Sequence, residues 1–227
     1  MNTVFVTGTD TGVGKTLVSK ALIEYWVDQG YVTSGFKPVA AGAEYVDGQL
    51  QNEDAQILMS VANCEASYSQ VNPIVLEAAT APHIAAEYEN IDISIAKLNS
   101  AYESISTLSD YVVVEGAGGW QVPLNRQYSF ADWVSEKKWP VLLVVDIKLG
   151  CINHARLSYF DILRCGNPII GWVANVQSND VEYFQDMISS IDNVIRAPLI
   201  GCVPPLDEQN IKNLTEYLHF DRLHITS

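Results

Sequence analysis

The residues best suited to chemistry come first in the chain. Thr7-Gly8-Thr9-Asp10-Thr11-Gly12-Val13-Gly14-Lys15-Thr16 directly follows a short apolar run and leads into an amphipathic stretch with Leu17, Ala21, Leu22 and Tyr25. Glycines at such a junction let backbone N–H groups turn inward, and the positive end of the following helix adds to an anion site. In a phosphate-binding loop of this kind, Lys15 reaches the β- and γ-phosphates of a nucleotide and the Thr16 hydroxyl ligates Mg2+. The spacing departs from the general form G-x-x-x-x-G-K-[ST]. Five residues separate Gly8 from Gly14, and Thr9 stands where a glycine is expected. A glycine-rich turn that binds nothing is the plainer alternative, and a Gly-Lys-Thr between strand and helix weighs against it.

A bound metal needs carboxylates. The apolar run Tyr111-Val112-Val113-Val114 ends in Glu115 and continues Gly116-Ala117-Gly118-Gly119. An acid at the end of a buried strand can organise Mg2+ beside a phosphate loop, and the glycines let the backbone pass close to phosphate or substrate. Asp54, in Gln51-Asn52-Glu53-Asp54-Ala55, opens a helix. Taken alone, Asn52 or Asp54 is better read as a cap or a dipole partner. Beside a Mg2+ site, Asp54 becomes a second hard oxygen ligand. A further run ends in Lys37-Pro38, where the proline holds the backbone extended and aims Lys37 into the cleft. A lysine snorkelling from a strand end is the alternative there.

Short β-branched runs alternate with longer amphipathic ones. Strands are expected over 3–7, 33–38, 110–115, 140–146, 169–175 and 199–203. Helices are expected over 14–29, 52–62, 93–109, 130–137, 153–165, 181–191 and 208–218. Runs apolar on both faces suit strands buried between two helix layers. The pattern therefore predicts an α/β fold: one doubly wound, mainly parallel sheet with helices on both faces, as in P-loop nucleotide-binding proteins, with residues 1–227 forming one domain. The segment 64–90 is the least readable.

Composition narrows the function. Apolar residues make up 48% of 227, and 27 acids against 13 Lys and Arg give a net charge of −14. The apolar content argues for a folded core, and the charge against nucleic acid or an anionic membrane as partner. A small anionic ligand needs only two or three placed cations. Cys64, Cys151, Cys165 and Cys202 lie far apart, which reads as reduced thiols. The longest aliphatic run, 141–145, is far short of the about 20 residues that span a bilayer. With no targeting segment apparent, a cytoplasmic enzyme is expected.

Together these motifs resemble the dethiobiotin synthetase family. The blocks that carry the resemblance are residues 7–16, Lys37-Pro38-Val39, Asn52-x-Asp54, Asn72-Pro73, Pro82-His83, Val114 to Gly119, Lys148-Leu149-Gly150-Cys151-Ile152-Asn153-His154 and Gly171-Trp172-Val173-Ala174-Asn175, in that order. The long loop spacing is the form this family uses. The resemblance implies Mg2+ and ATP acting on 7,8-diaminopelargonic acid and CO2, through a carbamate and a carbamic–phosphoric anhydride, to give dethiobiotin, ADP and phosphate. Lys37 and Thr11 would meet the carbamate, with Lys15 the third catalytic residue. Thr16, Asp54 and Glu115 would hold the metal. The nucleotide would lie on Gly12 to Leu17 (Val13, Gly14, Lys15 and Thr16 between them), Asp54, Glu115, Gly116, Ala117 and Gly118. Its base would meet Asn175, Val176, Pro204, Pro205 and Leu206. Substrate would touch Thr11, Lys37, Ala41 and Gly118, and its tail carboxylate the segment Leu149, Gly150, Cys151, Ile152 and Asn153 of a partner subunit. This implies a homodimer with shared sites.

Two positions depart from the family pattern. Gly12 stands where relatives carry Glu, which loosens the loop. Ala41 stands where Ser or Thr is frequent, which deletes a hydroxyl whose hydrogen bond is worth about 1 kcal/mol. An altered KM is expected, not a dead enzyme. His83 and His154 read as structural. Competing readings are a regulatory ATPase of the ParA/MinD kind, an amide-forming ligase of the cobyrinate type, and a nucleotide-binding protein without activity. The first is disfavoured by the absence of lysine in residues 9–13, the second by the lack of a glutaminase portion, and the third by the retained Lys15, Thr16, Lys37, Asp54 and Glu115.

Overall fold

Every pairing in the central sheet is parallel, and the strands are laid down in two directions from the first one. The computed structural model describes residues 2–206, 214 and 216–223. Strand β1 (Asn2–Gly8) leads through the loop into helix α1 (Lys15–Asp28) and then to β2 (Thr33–Phe36) at one edge. The chain next makes β3 (Val39–Ala40) and a hairpin of β4 (Glu44–Val46) and β5 (Gln49–Gln51). Helices α2 (Glu53–Val61) and α3 (Tyr68–Val71), strand β6 (Ile74–Val75), and helices α4 (Pro82–Glu89) and α5 (Ile95–Ser106) follow. Strand β7 (Tyr111–Gly119) then inserts between β1 and β2. The second half alternates α6 (Phe130–Lys137), β8 (Val141–Asp146), α7 (Cys151–Arg164), β9 (Ile169–Asn175), α8 (Phe184–Asp192) and β10 (Leu199–Val203). The sheet order is β10-β9-β8-β1-β7-β2.

Alternation along β1 explains the two helix layers. Phe5 enters one apolar cluster, with Trp133 and Trp172, while Val4 and Val6 enter the other, with Leu22 and Trp26. Successive side chains of a strand point to opposite faces, so a run apolar at every position is buried on both. This is the doubly wound α/β fold that the sequence pattern predicts.

Register sets the site. Phe36 pairs with Val114, so Lys37 leaves β2 beside Glu115. Val6 pairs with Glu115 but Gly8 with Gly119, so β7 bulges under the loop that follows β1. The expected strand 33–38 stops at Phe36 because the Lys37 N–H turns out of the sheet to the Val71 carbonyl, 2.8 Å away. Helix α7 starts two residues earlier than expected, after Gly150 at φ +94°. The segment 64–90 contains α3, β6 and α4, and the helix expected over 208–218 falls largely outside the described residues. Among the described residues no helix is long and apolar enough to cross a membrane.

Candidate active site

Several carboxyl ends of the sheet converge on one cleft, where ligands of open α/β sheets bind. The loop after β1 holds Gly14 at φ +96°, where an added Cβ would lie 2.4 Å from Asn175 Nδ2, so glycine alone fits. Thr16, in the first turn of α1, places Oγ1 2.8 Å from Asp54 Oδ1 and 3.0 Å from Glu115 Oε1. Lys37 Nζ donates to Asp54 Oδ2 at 2.8 Å and to Glu115 Oε1 at 2.6 Å, with the Gly116 carbonyl at 3.4 Å. Glu115 is fully buried and Lys37 is 3% exposed. Lys37 therefore does not snorkel to solvent. Asp54 is no cap but one arm of this cluster, and the Asn52 side chain makes no capping bond to α2.

Burial and neighbouring charge tune the group. Lys15 is buried and lies near the Lys37 ammonium, which together lower its pKa to about 8. Its Nζ donates to the Asp10 carbonyl at 3.0 Å. Burial works against charge on Lys37, but the Glu115 and Asp54 carboxylates outweigh it and hold its pKa above the ordinary lysine value. Burial likewise opposes charge on Asp54, and the Lys37 ammonium with hydrogen bonds from Lys37 and Thr16 overcomes it, leaving Asp54 below the usual carboxylate range. Two ammonium groups thus face two carboxylates.

The donor set suits a hard divalent cation. The Thr16 hydroxyl lies 2.8 Å from the Asp54 carboxylate and 3.0 Å from that of Glu115, and Glu115 Oε2 is buried with no hydrogen-bond partner. No group of three or more His, Cys, Asp or Glu is gathered for a metal among the described residues. Two carboxylates with a hydroxyl, completed by phosphate oxygens and water, is the Mg2+ habit.

A cleft of about 680 Å³ opens over this cluster. Of the residues expected at the site, it is lined by Thr11, Gly12, Gly14, Lys15, Thr16, Lys37, Ala41, Asp54, Glu115, Ala117 and Gly118. Val13 is buried under the loop, Leu17 packs on the second apolar cluster, and Gly116 turns its carbonyl to Lys37. Asn175 Nδ2 donates to the Val13 carbonyl at 2.9 Å, so it supports the loop from below. The Val176 N–H bonds to the Val203 carbonyl, and Pro204, Pro205 and Leu206 follow β10, half-buried. Leu149, Gly150, Cys151, Ile152 and Asn153 line no part of this chain's cleft, and Leu149 is 92% exposed. Asn52, read from sequence as a candidate cap, and the run Ala79-Thr80-Ala81-Pro82, given no site role there, also line it. No periodicity marks them; only Pro82, at the first turn of α4, is a local signal.

A family model described as an AAA domain matches residues 2–212. The chain is 43% identical over 219 residues to the ATP-dependent dethiobiotin synthetase BioD of Aliivibrio salmonicida (strain LFI1238), covering 96% of each chain. It is 42% identical over 219 residues to that of Baumannia cicadellinicola subsp. Homalodisca coagulata, covering 96% of this chain and 97% of the relative. Among solved structures, the septum site-determining protein MinD of Pyrococcus horikoshii OT3, complexed with Mg-ADP, superposes with a TM-score of 0.57 at 15% identity, covering 97% of this chain and 88% of MinD. That likeness shows the shared P-loop fold alone.

The position of Lys15 yields a pH dependence. Its pKa of about 8 in the free protein should rise if a phosphate chain seats beside it, so metal-free ADP binding above that pH should take up a proton. Calorimetry at about pH 8.5 in buffers of different ionisation heat should show uptake of most of one proton, with affinity falling as pH rises through 8. Both effects vanish in Lys15→Met. An enthalpy independent of buffer contradicts this assignment.

Proposed function

The chain belongs to the family of ATP-dependent dethiobiotin synthetases, ligases of biotin biosynthesis, and from that premise we propose that it converts 7,8-diaminopelargonic acid, CO2 and ATP into dethiobiotin, ADP and phosphate. The observation that carries this reading is the buried Lys37–Glu115–Asp54–Thr16 cluster facing the phosphate loop across the cleft. One amine adds to CO2 and loses a proton, giving a carbamate. A carbamate oxygen attacks the γ-phosphorus, ADP leaves, and a carbamic–phosphoric anhydride remains. The second amine attacks its carbonyl carbon, loses a proton and expels phosphate as the five-membered ureido ring closes.

Phosphoryl transfer asks the protein mainly for positioning and charge neutralisation. Lys15 holds the β- and γ-phosphates. Lys37 meets the carbamate and the transferring phosphoryl group, and its carboxylate partners keep it cationic and fixed. Thr11, at the cleft mouth, hydrogen-bonds the carbamate. Mg2+, held by Thr16, Asp54 and Glu115, supplies further neutralisation of phosphate charge when bound. Asn175, whose amide nitrogen is used on Val13, keeps its carbonyl oxygen for an adenine amino group, beside Val176 and Pro204 to Leu206. Ala41 offers the substrate a methyl and no hydroxyl, and Gly118 passes the substrate closely.

The chain reads as one ligase domain, 1–227, working as a homodimer. Leu157, Phe160 and Leu163 leave an exposed apolar strip along α7, Leu149 is exposed just before that helix, and its N-terminal turn touches no part of its own cleft. A partner that buries the strip would bring Leu149 to Asn153 to the other cleft, with backbone N–H groups for the substrate's tail carboxylate. All four cysteines are free, which fits the cytoplasm. The acidic balance gives nucleic acid and membrane no footing.

Incubation with the diamine, bicarbonate and MgATP should yield dethiobiotin and diamine-dependent phosphate release; without either, the reading fails. Lys37→Gln should reduce turnover at least about a hundredfold while ADP affinity stays within about threefold, and equal loss of both would make Lys37 a nucleotide-binding residue instead. Dilution to monomer should abolish activity, and a fully active monomer would rule out the shared site.

A further inference from the structure

Lys37 and Asp54 form a close ion pair, yet the chain between them is a poor strut. It runs through β3 and then the β4–β5 hairpin, whose first strand is exposed at every residue. Something else must keep the end of β2 and the start of α2 in register.

A relay of hydrogen bonds does so through the short helix α3. The Asn52 backbone N–H donates to Tyr68 Oη at 2.8 Å, and the Tyr68 hydroxyl donates to Asn72 Oδ1 at 2.8 Å. Asn72 Nδ2 donates to the Lys37 carbonyl at 2.6 Å and to the Ile74 carbonyl at 3.3 Å. The Lys37 N–H, in turn, donates to the Val71 carbonyl at 2.8 Å. Both backbone groups of Lys37 are therefore tied to residues 71–72, and that segment is tied to the residue that opens α2.

The direction of the relay is forced. A backbone N–H can only donate and a backbone carbonyl can only accept, so the groups at the two ends fix the hydroxyl between them and the orientation of the Asn72 amide. Asn72 is 1% exposed, so an unmade bond there is costly. Bonds aligned head to tail in a low-dielectric interior also strengthen one another.

We propose that Tyr68, acting through Asn72, is a positioning residue for the reaction: its hydroxyl sets the placement of Lys37 against Asp54 without touching substrate. This inference rests on the dethiobiotin synthetase reading of the cleft. It predicts a division of labour, in which the phosphate loop binds nucleotide independently of the relay and the relay governs the step that needs Lys37.

The test is Tyr68→Phe, which removes one oxygen and keeps the ring packed against the apolar cluster. The wild type and the variant are compared for diamine-dependent phosphate release, KM for MgATP and ADP affinity, with thermal unfolding to confirm the fold. The expected result is a kcat lowered about fivefold to tenfold with KM and ADP affinity within about twofold. A double-mutant cycle with Lys37→Arg should be non-additive, Tyr68→Phe costing less once Lys37 is replaced. An unchanged kcat, an equal loss of ADP binding, or full additivity overturns the inference. Absence of diamine-dependent release from the wild type is a separate outcome: it overturns the functional reading, and the inference with it.

Discussion

A carboxylate buried away from water is costly unless a cation or hydrogen bonds compensate its charge. Glu115 sits midway along β7 and is fully buried, and Lys37 Nζ lies 2.6 Å from it. Breaking such a pair by removing one partner costs about 3–5 kcal/mol, because the other charge is left uncompensated. Much of the architecture around the cleft serves this contact. The pairing of Phe36 with Val114 sets the end of β2 beside the middle of β7, α1 delivers the Thr16 hydroxyl, and α2 supplies the second carboxylate. The same carboxylates that hold Lys37 are the ones we propose for a metal, which would make the pair both a structural contact and a site for charge.

The chain's acidity takes on meaning at this point. Among residues 1–96 the only cations are Lys15, Lys20 and Lys37, against twelve carboxylates. Lys20 pairs with Glu24 on the outer side of α1, and the other two line the cleft. An acidic protein can still bind a polyphosphate when its few cations are buried where the phosphates go. Burial makes them effective, since the same charges at the surface would be screened.

What could be read from the sequence followed from how locally each feature is encoded. The phosphate loop and Glu115 were legible because each sits at the end of an apolar run, and a strand end in an α/β sheet is a place for ligands. Asp54 was ambiguous, since an acid in a first helical turn serves the helix dipole as readily as a metal; its contacts with Thr16 and Lys37 appear only once α1, α2 and β2 are folded together. Segment 64–90 was opaque for a different reason. Its elements are four-residue α3, two-residue β6 and eight-residue α4, too short for a hydrophobic period to register. What Tyr68 and Asn72 do there is make hydrogen bonds, and no pattern of apolar residues announces those. Asn175 was read as a base contact, and its bond to the Val13 carbonyl, across 162 residues of chain, was beyond any local signal.

On the proposed reading, Thr16, Asp54 and Glu115 form one metal-holding cluster beside the phosphate loop. The most direct measurement is the affinity for ADP with and without Mg2+, in the wild type and in Asp54→Asn. Mg2+ should tighten ADP binding to the wild type at least about tenfold and leave Asp54→Asn nearly unmoved, with equal metal-free affinities. An Asp54→Asn protein that keeps the full enhancement by Mg2+ would contradict it.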